Sequence, residues 1–141
     1  MPARFVDASV FVHAYLRPRR DLKSHERQIR ARARSIVTRI NAGEETLTST
    51  VHLGELANVL EDWMPLDDAR AVLRGLCSRR SIEILPSDRR DLIEALTVGS
   101  ESGVGMTDAL AVVLMWDRGA SEVYSFDKDF DRFEGIRRIS Q

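Results

Sequence analysis

Ala3-Arg4-Phe5-Val6-Asp7-Ala8-Ser9 decides how this 141-residue chain is read. Its first half reads as a short buried strand, and it stops on a carboxylate followed at once by an apolar helix, Ser9 to Leu16. The arrangement returns far downstream, where Glu122-Val123-Tyr124-Ser125-Phe126 reads as a strand that runs into Asp127. Two more acids sit at comparable places. Glu55 lies in the first turns of a helix entered from the strand-like Thr46-Leu47-Thr48-Ser49, and Asp108 opens a helix after Gly103-Val104-Gly105-Met106. Strand-like and helical segments alternate along the chain, which predicts an α/β domain around a mostly parallel sheet. In open α/β sheets ligands bind just beyond the carboxyl ends of the strands. Carboxylates converging there without neutralising Lys or Arg repel one another unless a cation joins them. The pattern predicts a divalent-metal site.

Working outward, Ser24 begins a long helix with the apolar stripe Ile29, Ala33, Ile36, Val37 and Ile40, and Gly43 stops it. Ser49 or Thr50 caps the next helix, which carries Leu56, Val59, Leu60, Trp63 and Met64. Met64-Pro65 separates it from another whose buried stripe is Ala69, Val72, Leu73, Leu76 and Cys77. Ile82-Glu83-Ile84-Leu85 reads as a strand, and Ser87 or Asp88 then caps a helix carrying Leu92, Ile93 and Leu96. Ala109 to Trp116 is apolar on nearly every face, so this helix is expected to be central and covered on both sides. A last strand around Ile136 to Ile139 is expected at a sheet edge. With no repeat, low-complexity tract or linker, residues 1–141 are expected to form one domain.

The composition, 43% hydrophobic and 30% charged, is that of an ordinary soluble protein. No apolar stretch approaches the ~18 residues of a membrane span. Asp7 and Ser9 interrupt the only apolar stretch near the N-terminus, so no signal peptide is expected and a cytoplasmic location fits. The single cysteine, Cys77, excludes an internal disulfide and a cysteine zinc cluster, and its helix position predicts a small buried hydrophobe. Charge is distributed unevenly. Arg17 to Arg39 holds nine basic residues against Asp21 and Glu26, a net +7, which leaves −8 for the rest of a chain whose total is −1. Such a block suits a polyanion or an acidic partner, and beside an acidic metal site it points to nucleic-acid phosphates.

Taken singly, each acid has an ordinary explanation. Asp7 suits a helix cap, Asp108 complements a helix dipole, and Asp127 suits a turn on its own backbone. Glu55 is the most telling, because it borders the apolar stripe of its helix. Together the four suit Mg²⁺ or Mn²⁺, which prefer oxygen ligands and assist phosphodiester cleavage. His52 shares a helix face with Glu55, yet no second histidine or cysteine stands at a zinc-ligand spacing, so His52 reads as a polar neighbour of the site. Gly99, Gly103 and Gly105 lack the lysine and spacing of a P-loop, and no histidine stands at a motif distance from Ser9, Ser49 or Ser125.

Four segments carry a family resemblance. Phe5-Val6-Asp7-Ala8-Ser9 resembles the opening strand and Asp-x-Ser/Asn motif of PIN-domain nucleases, and His52-Leu53-Gly54-Glu55-Leu56 resembles their helical glutamate segment. Thr107-Asp108-Ala109-Leu110-Ala111 is similar to their third acidic motif, and Ser125-Phe126-Asp127-Lys128-Asp129-Phe130 to the final Thr/Ser-x-Asp-x-x-Phe segment. The resemblance implies a three-layer α/β/α sandwich with the four acids in one cleft, and Mg²⁺- or Mn²⁺-dependent cleavage of RNA. A short stand-alone chain of this kind looks most like a VapC-type toxin, usually a homodimer held inactive by a small antitoxin. By the same resemblance Asp7, Asp108 and Asp127 bind metal directly, Glu55 binds it directly or through water, and Ser9 and Ser125 are supporting hydroxyls. Ser125 stands where threonine is common, and Asp129 and Asp131 are rival carboxylates to Asp127. The basic segment reads as an RNA track or as an antitoxin contact. Two other readings are a PIN-like module that binds RNA or protein without cutting, and an RNA-processing nuclease outside any toxin–antitoxin pair. A haloacid-dehalogenase phosphatase is disfavoured because Ser9 stands where its second aspartate belongs, and a receiver domain because Lys128 alone does not make its site.

Overall fold

The computed structural model describes residues 2–141. Five strands, β1 (Arg4–Val6), β2 (Thr46–Ser49), β3 (Ile82–Leu85), β4 (Glu122–Tyr124) and β5 (Arg137–Ile139), make one sheet in the order β3-β2-β1-β4-β5. Every neighbouring pair is parallel, so the sheet is more uniform than the alternation of segments required. The edge position expected for the last strand is the one β5 occupies. Pairs of helices join the first four strands: α1 (Ala8–Tyr15) with α2 (Ser24–Asn41), α3 (Thr50–Trp63) with α4 (Leu66–Ser78), and α5 (Arg89–Ser102) with α6 (Met106–Arg118). A 3₁₀ turn, Lys128–Arg132, lies between β4 and β5.

Side chains alternate across the sheet, and this alternation sorts the helices into two outer layers. Phe5, Leu47 and Val123 face the cluster that contains Ala95 of α5 and Ala109 to Met115 of α6. Val6 and Tyr124 face the other way, into a cluster built from α1, α2, α3 and α4. The result is the α/β/α sandwich. All four residues of β2 are buried although three are polar, and their hydroxyls are paired: Thr46 Oγ1 donates to Ser81 O at 3.0 Å and Thr48 Oγ1 to Val6 O at 3.0 Å. The central helix is α6, whose residues Ala109 to Met115 are all buried, while Trp116 stays half exposed.

Three apolar faces differ from expectation. Cys77 is exposed, not buried, because α4 buries Ala69 and Leu76 and the next residue falls about 100° around the helix, past the edge of that stripe. Trp63 is exposed at the end of α3. On α5, Ile93 and Leu96 point to solvent, and the contact with the core is made by the small residues Ala95 and Gly99.

Gly99 marks the closest approach. A Cβ placed there would lie 2.7 Å from the carbonyl oxygen of Val104, in the connection that leads into α6. Gly103 then turns the chain with φ 72°, a left-handed cap that suits glycine. Gly99→Ala is therefore expected to destabilise the protein even though alanine gains about 1 kcal/mol of helix propensity. Overpacking against backbone costs about 1–3 kcal/mol, so a thermal melt should show Tm lowered by roughly 2–4 °C.

Candidate metal centre

The chain leaves β1 toward β2 and β3 on one side and later fills β4 and β5 on the other, so the strand order reverses between β1 and β4. A crevice forms at the carboxyl ends of strands on either side of such a reversal. Asp7 follows β1 there, and Ser125 and Asp127 follow β4. The crossover from β3 brings the N-terminus of α6, with Asp108 in its first turn, to the same edge, and α3 brings Glu55.

Asp7 occupies the N-cap position of α1, yet its side chain makes no capping hydrogen bond. Its Oδ2 instead accepts from Ser9 Oγ at 2.9 Å and from Ser125 Oγ at 2.8 Å. These two hydroxyls are placed by the backbone. Ser9 Oγ accepts from Phe126 N–H at 3.2 Å, and Ser125 Oγ accepts from Asp127 N–H at 2.9 Å. The end of β4 is thereby laced to the end of β1, and the nearly buried Asp7 is held in one orientation. Asp127 does form the turn expected of it, accepting Asp129 N–H on Oδ1 at 2.9 Å. That bond draws Asp129 inward.

Carboxylate oxygens of Asp108, Asp127 and Asp129 lie within 4.8 Å of one another. Asp7 and Glu55 stand outside this tight group but act on it through charge. Burial, then the charges of Asp7 and Asp127, a shared hydrogen bond with Asp127 and the charge of Asp129 push the Asp108 carboxyl up to about 8. Glu55 is raised as well, first by partial shielding from solvent and then by Asp7 and Asp127. Among the described residues no Lys or Arg comes within 4.0 Å of Asp7, Glu55, Asp108 or Asp127, and Asp129 meets only Arg132, at 3.7 Å. An all-oxygen donor set that must otherwise hold a proton fits a hard divalent cation.

Asp131 is excluded from the group, because Arg138 takes both its oxygens, at 3.0 and 3.2 Å, on the exposed side of the turn. His52 is buried beneath the site. Its Nδ1 lies 2.6 Å from Ser49 Oγ and its ring packs edge-on to Phe5, while burial lowers its pKa and keeps the imidazole neutral. A packed neutral neighbour, as the sequence suggests, is what it is. The His13 ring standing edge-on to Phe126, with centroids 5.4 Å apart, has no counterpart among the sequence motifs. No sequence signal links two residues so far apart, and only the β1–β4 pairing brings them together.

A PIN domain model matches residues 4–136. The chain belongs to the PIN domain family. Its solved neighbours include VapC proteins. The structure is similar to VapC20 of Mycobacterium tuberculosis, described as a Sarcin-Ricin loop cleaving toxin, with a TM-score of 0.71 and 19% identity over 96% of this chain and 99% of that one. It is also similar to VapBC2 of Rickettsia felis bound to a promoter DNA fragment, at TM-score 0.68 and 13% identity over 97% of both chains. DNA-bound VapBC of Salmonella typhimurium matches at TM-score 0.65 and 21% identity over 99% of this chain and 98% of that one. At these identities the shared property is the fold. No curated protein is significantly similar in sequence. Within the PIN fold of this chain, the acidic group sits at the strand reversal, and among the described residues no helix is long and apolar enough to cross a membrane.

Proposed function

We propose that this PIN domain is an Mg²⁺- or Mn²⁺-dependent endoribonuclease, the toxin of a VapC-type toxin–antitoxin pair, acting as one domain over residues 1–141. The observation that supports it most is the convergence of Asp108, Asp127 and Asp129, with Asp7 and Glu55 in electrostatic reach and, among the described residues, no Lys or Arg paired with the predicted four. Asp7, Asp108 and Asp127 would hold the metal, with Asp129 beside them and Glu55 directly or through water. A bound divalent ion supplies Lewis-acid activation of water and neutralises charge on the scissile phosphate. The protein's own groups do the positioning. Ser9 and Ser125 fix one oxygen of Asp7 and leave its other oxygen without a hydrogen bond from them. Glu55, raised in pKa and open to solvent, is suited to take the proton of the attacking water as the P–O bond to the leaving strand breaks.

An RNA substrate is supported by the likeness to a toxin described as cleaving the Sarcin-Ricin loop, and an antitoxin partner by the two VapBC neighbours. A homodimer in the cytoplasm completes the reading. Purified protein given cellular RNA with Mn²⁺ is expected to cleave it, to stop in EDTA and to resume when Mn²⁺ is returned. Cleavage indifferent to EDTA overturns the metal role. Absence of cleavage together with absence of calorimetric Mn²⁺ binding overturns the nuclease reading and favours a non-catalytic module.

A further inference from the structure

The basic residues between Arg17 and Arg39 are not equivalent in the folded chain. Arg20 spends its guanidinium on both oxygens of Glu26, at 3.0 and 2.8 Å. Arg27 is held by the carbonyl of Leu22, Arg19 lies over the Trp63 ring, and Arg39 lies over the Tyr124 ring. Arg30 and Arg34, one helical turn apart on α2, bond no carboxylate. The Nε of Arg30 is buried without a hydrogen-bond partner, and Arg34 has only a 3.4 Å contact with Ala14 O. Arg17 stands near them, and its closest acid, Asp68, is 4.0 Å away with both side chains exposed. Burial, and after it the charges of Arg34 and Arg17, depress the Arg30 guanidinium.

This cluster is connected to the acidic cleft. Phe126 immediately precedes Asp127, and its ring meets His13 of α1. His13 and Arg30 line one cavity of about 250 Å³ between α1 and α2. The Phe126 and His13 rings and then the Arg30 guanidinium therefore follow one another from the segment that carries Asp127, with Arg34 one turn further along α2. Single-stranded nucleic acid is held by this combination, with bases stacked on rings and phosphates on arginine. The one acid that lines the cavity, Glu26, is already taken by Arg20.

We infer that Phe126, His13, Arg30 and Arg34, with Arg17 at the far end, form the track that binds the RNA strand leaving the acidic cleft. This rests on the nuclease reading and adds to it where the substrate lies. The cavity floor, with Leu16, Leu22 and Ile29, is apolar and would also take a side chain of a protein partner. Guanidiniums without a carboxylate partner favour the polyanion.

The test is binding of a fluorescent single-stranded RNA by the full chain carrying Asp108→Asn, which separates binding from cleavage, with and without Arg30→Gln/Arg34→Gln. The pair is expected to lower the slope of log affinity against log salt by about 1.4, at ~0.7 for each phosphate left without its arginine, and to weaken binding roughly tenfold near 0.1 M salt. His13→Ala should weaken binding and leave the slope unchanged. With Asp108 intact, the double variant should raise KM for RNA and keep kcat, the pattern of weakened uniform binding. An unchanged Tm and unchanged Mn²⁺ binding certify that the variant is folded. An unchanged salt slope overturns the track and leaves these arginines to a protein partner. If the parent chain binds no Mn²⁺ and cuts no RNA, the nuclease reading fails on its own, and the salt slope still decides the track.

Discussion

Asp108→Asn is expected to abolish RNA cleavage while raising the thermal stability of the protein in EDTA. The loss follows from the central position of Asp108, which shares a site with Asp127 and Asp129 and feels the charge of Asp7. On the proposed reading Asp108 would hold the metal, and weakening such a ligand forfeits several kcal/mol of transition-state charge stabilisation, roughly 10²–10³-fold in rate. The stability gain follows from the same crowding. The folded protein holds the Asp108 carboxyl at about 8 against its ordinary value of 3.8, so the folded chain keeps a proton that the unfolded chain releases. The proton's contribution to stability is complete below about pH 3.8 and is lost as pH rises to about 8. Asparagine has no charge to acquire, so its advantage should grow through that window and level off above it. Melts in EDTA at several pH values check this, and a variant that is less stable than its parent at pH 8 would refute the crowding. A structural role alone predicts loss of activity with loss of stability. Here the two should move in opposite directions.

Much of this architecture is readable before any coordinates, because buried parallel strands bounded by turns and acids leave a strong local trace. Thr46–Ser49 and Ile82–Leu85 are strands to the residue, and the apolar run after Asp108 is the central helix. What escapes is whatever depends on partners distant in sequence. Ile93 and Leu96 look like the inner face of α5, but close packing on α6 selects Ala95 and Gly99, which local hydrophobicity ranks lower. Cys77 misses burial by one residue around α4. Asp129 and Asp131 are equal by spacing, and only the turn on Asp127 and the reach of Arg138 send one inward and the other out. The basic segment reads as a uniform block, whereas in the folded chain Glu26 takes Arg20, the Tyr124 ring takes Arg39, and Arg30 and Arg34 are among the residues that bond no carboxylate.

Adding Mn²⁺ to metal-free protein at pH 7 should release protons and raise Tm, with an affinity that climbs with pH and flattens above about 8. The cause is competition at Asp108, whose carboxyl is pushed up to about 8 and is mostly protonated at pH 7 when no cation is present. A divalent ion held among Asp7, Asp108, Asp127 and Asp129 would replace that proton and offset the burial and the repulsion that raised it. Log affinity should therefore rise with a slope near 1 per pH unit below the Asp108 pKa and level off once the carboxylate is already ionised. At a hundredfold excess over Kd the ion contributes about 2.7 kcal/mol, or roughly 5–10 °C in Tm for a chain of this size. Calorimetry in buffers of different ionisation enthalpy counts the protons released. Asp108→Asn should retain part of the binding and lose most of the proton release. Binding that is independent of pH between 6 and 8 would mean that the ion sits away from Asp108, and the site would have to be redrawn around Asp7 and Glu55.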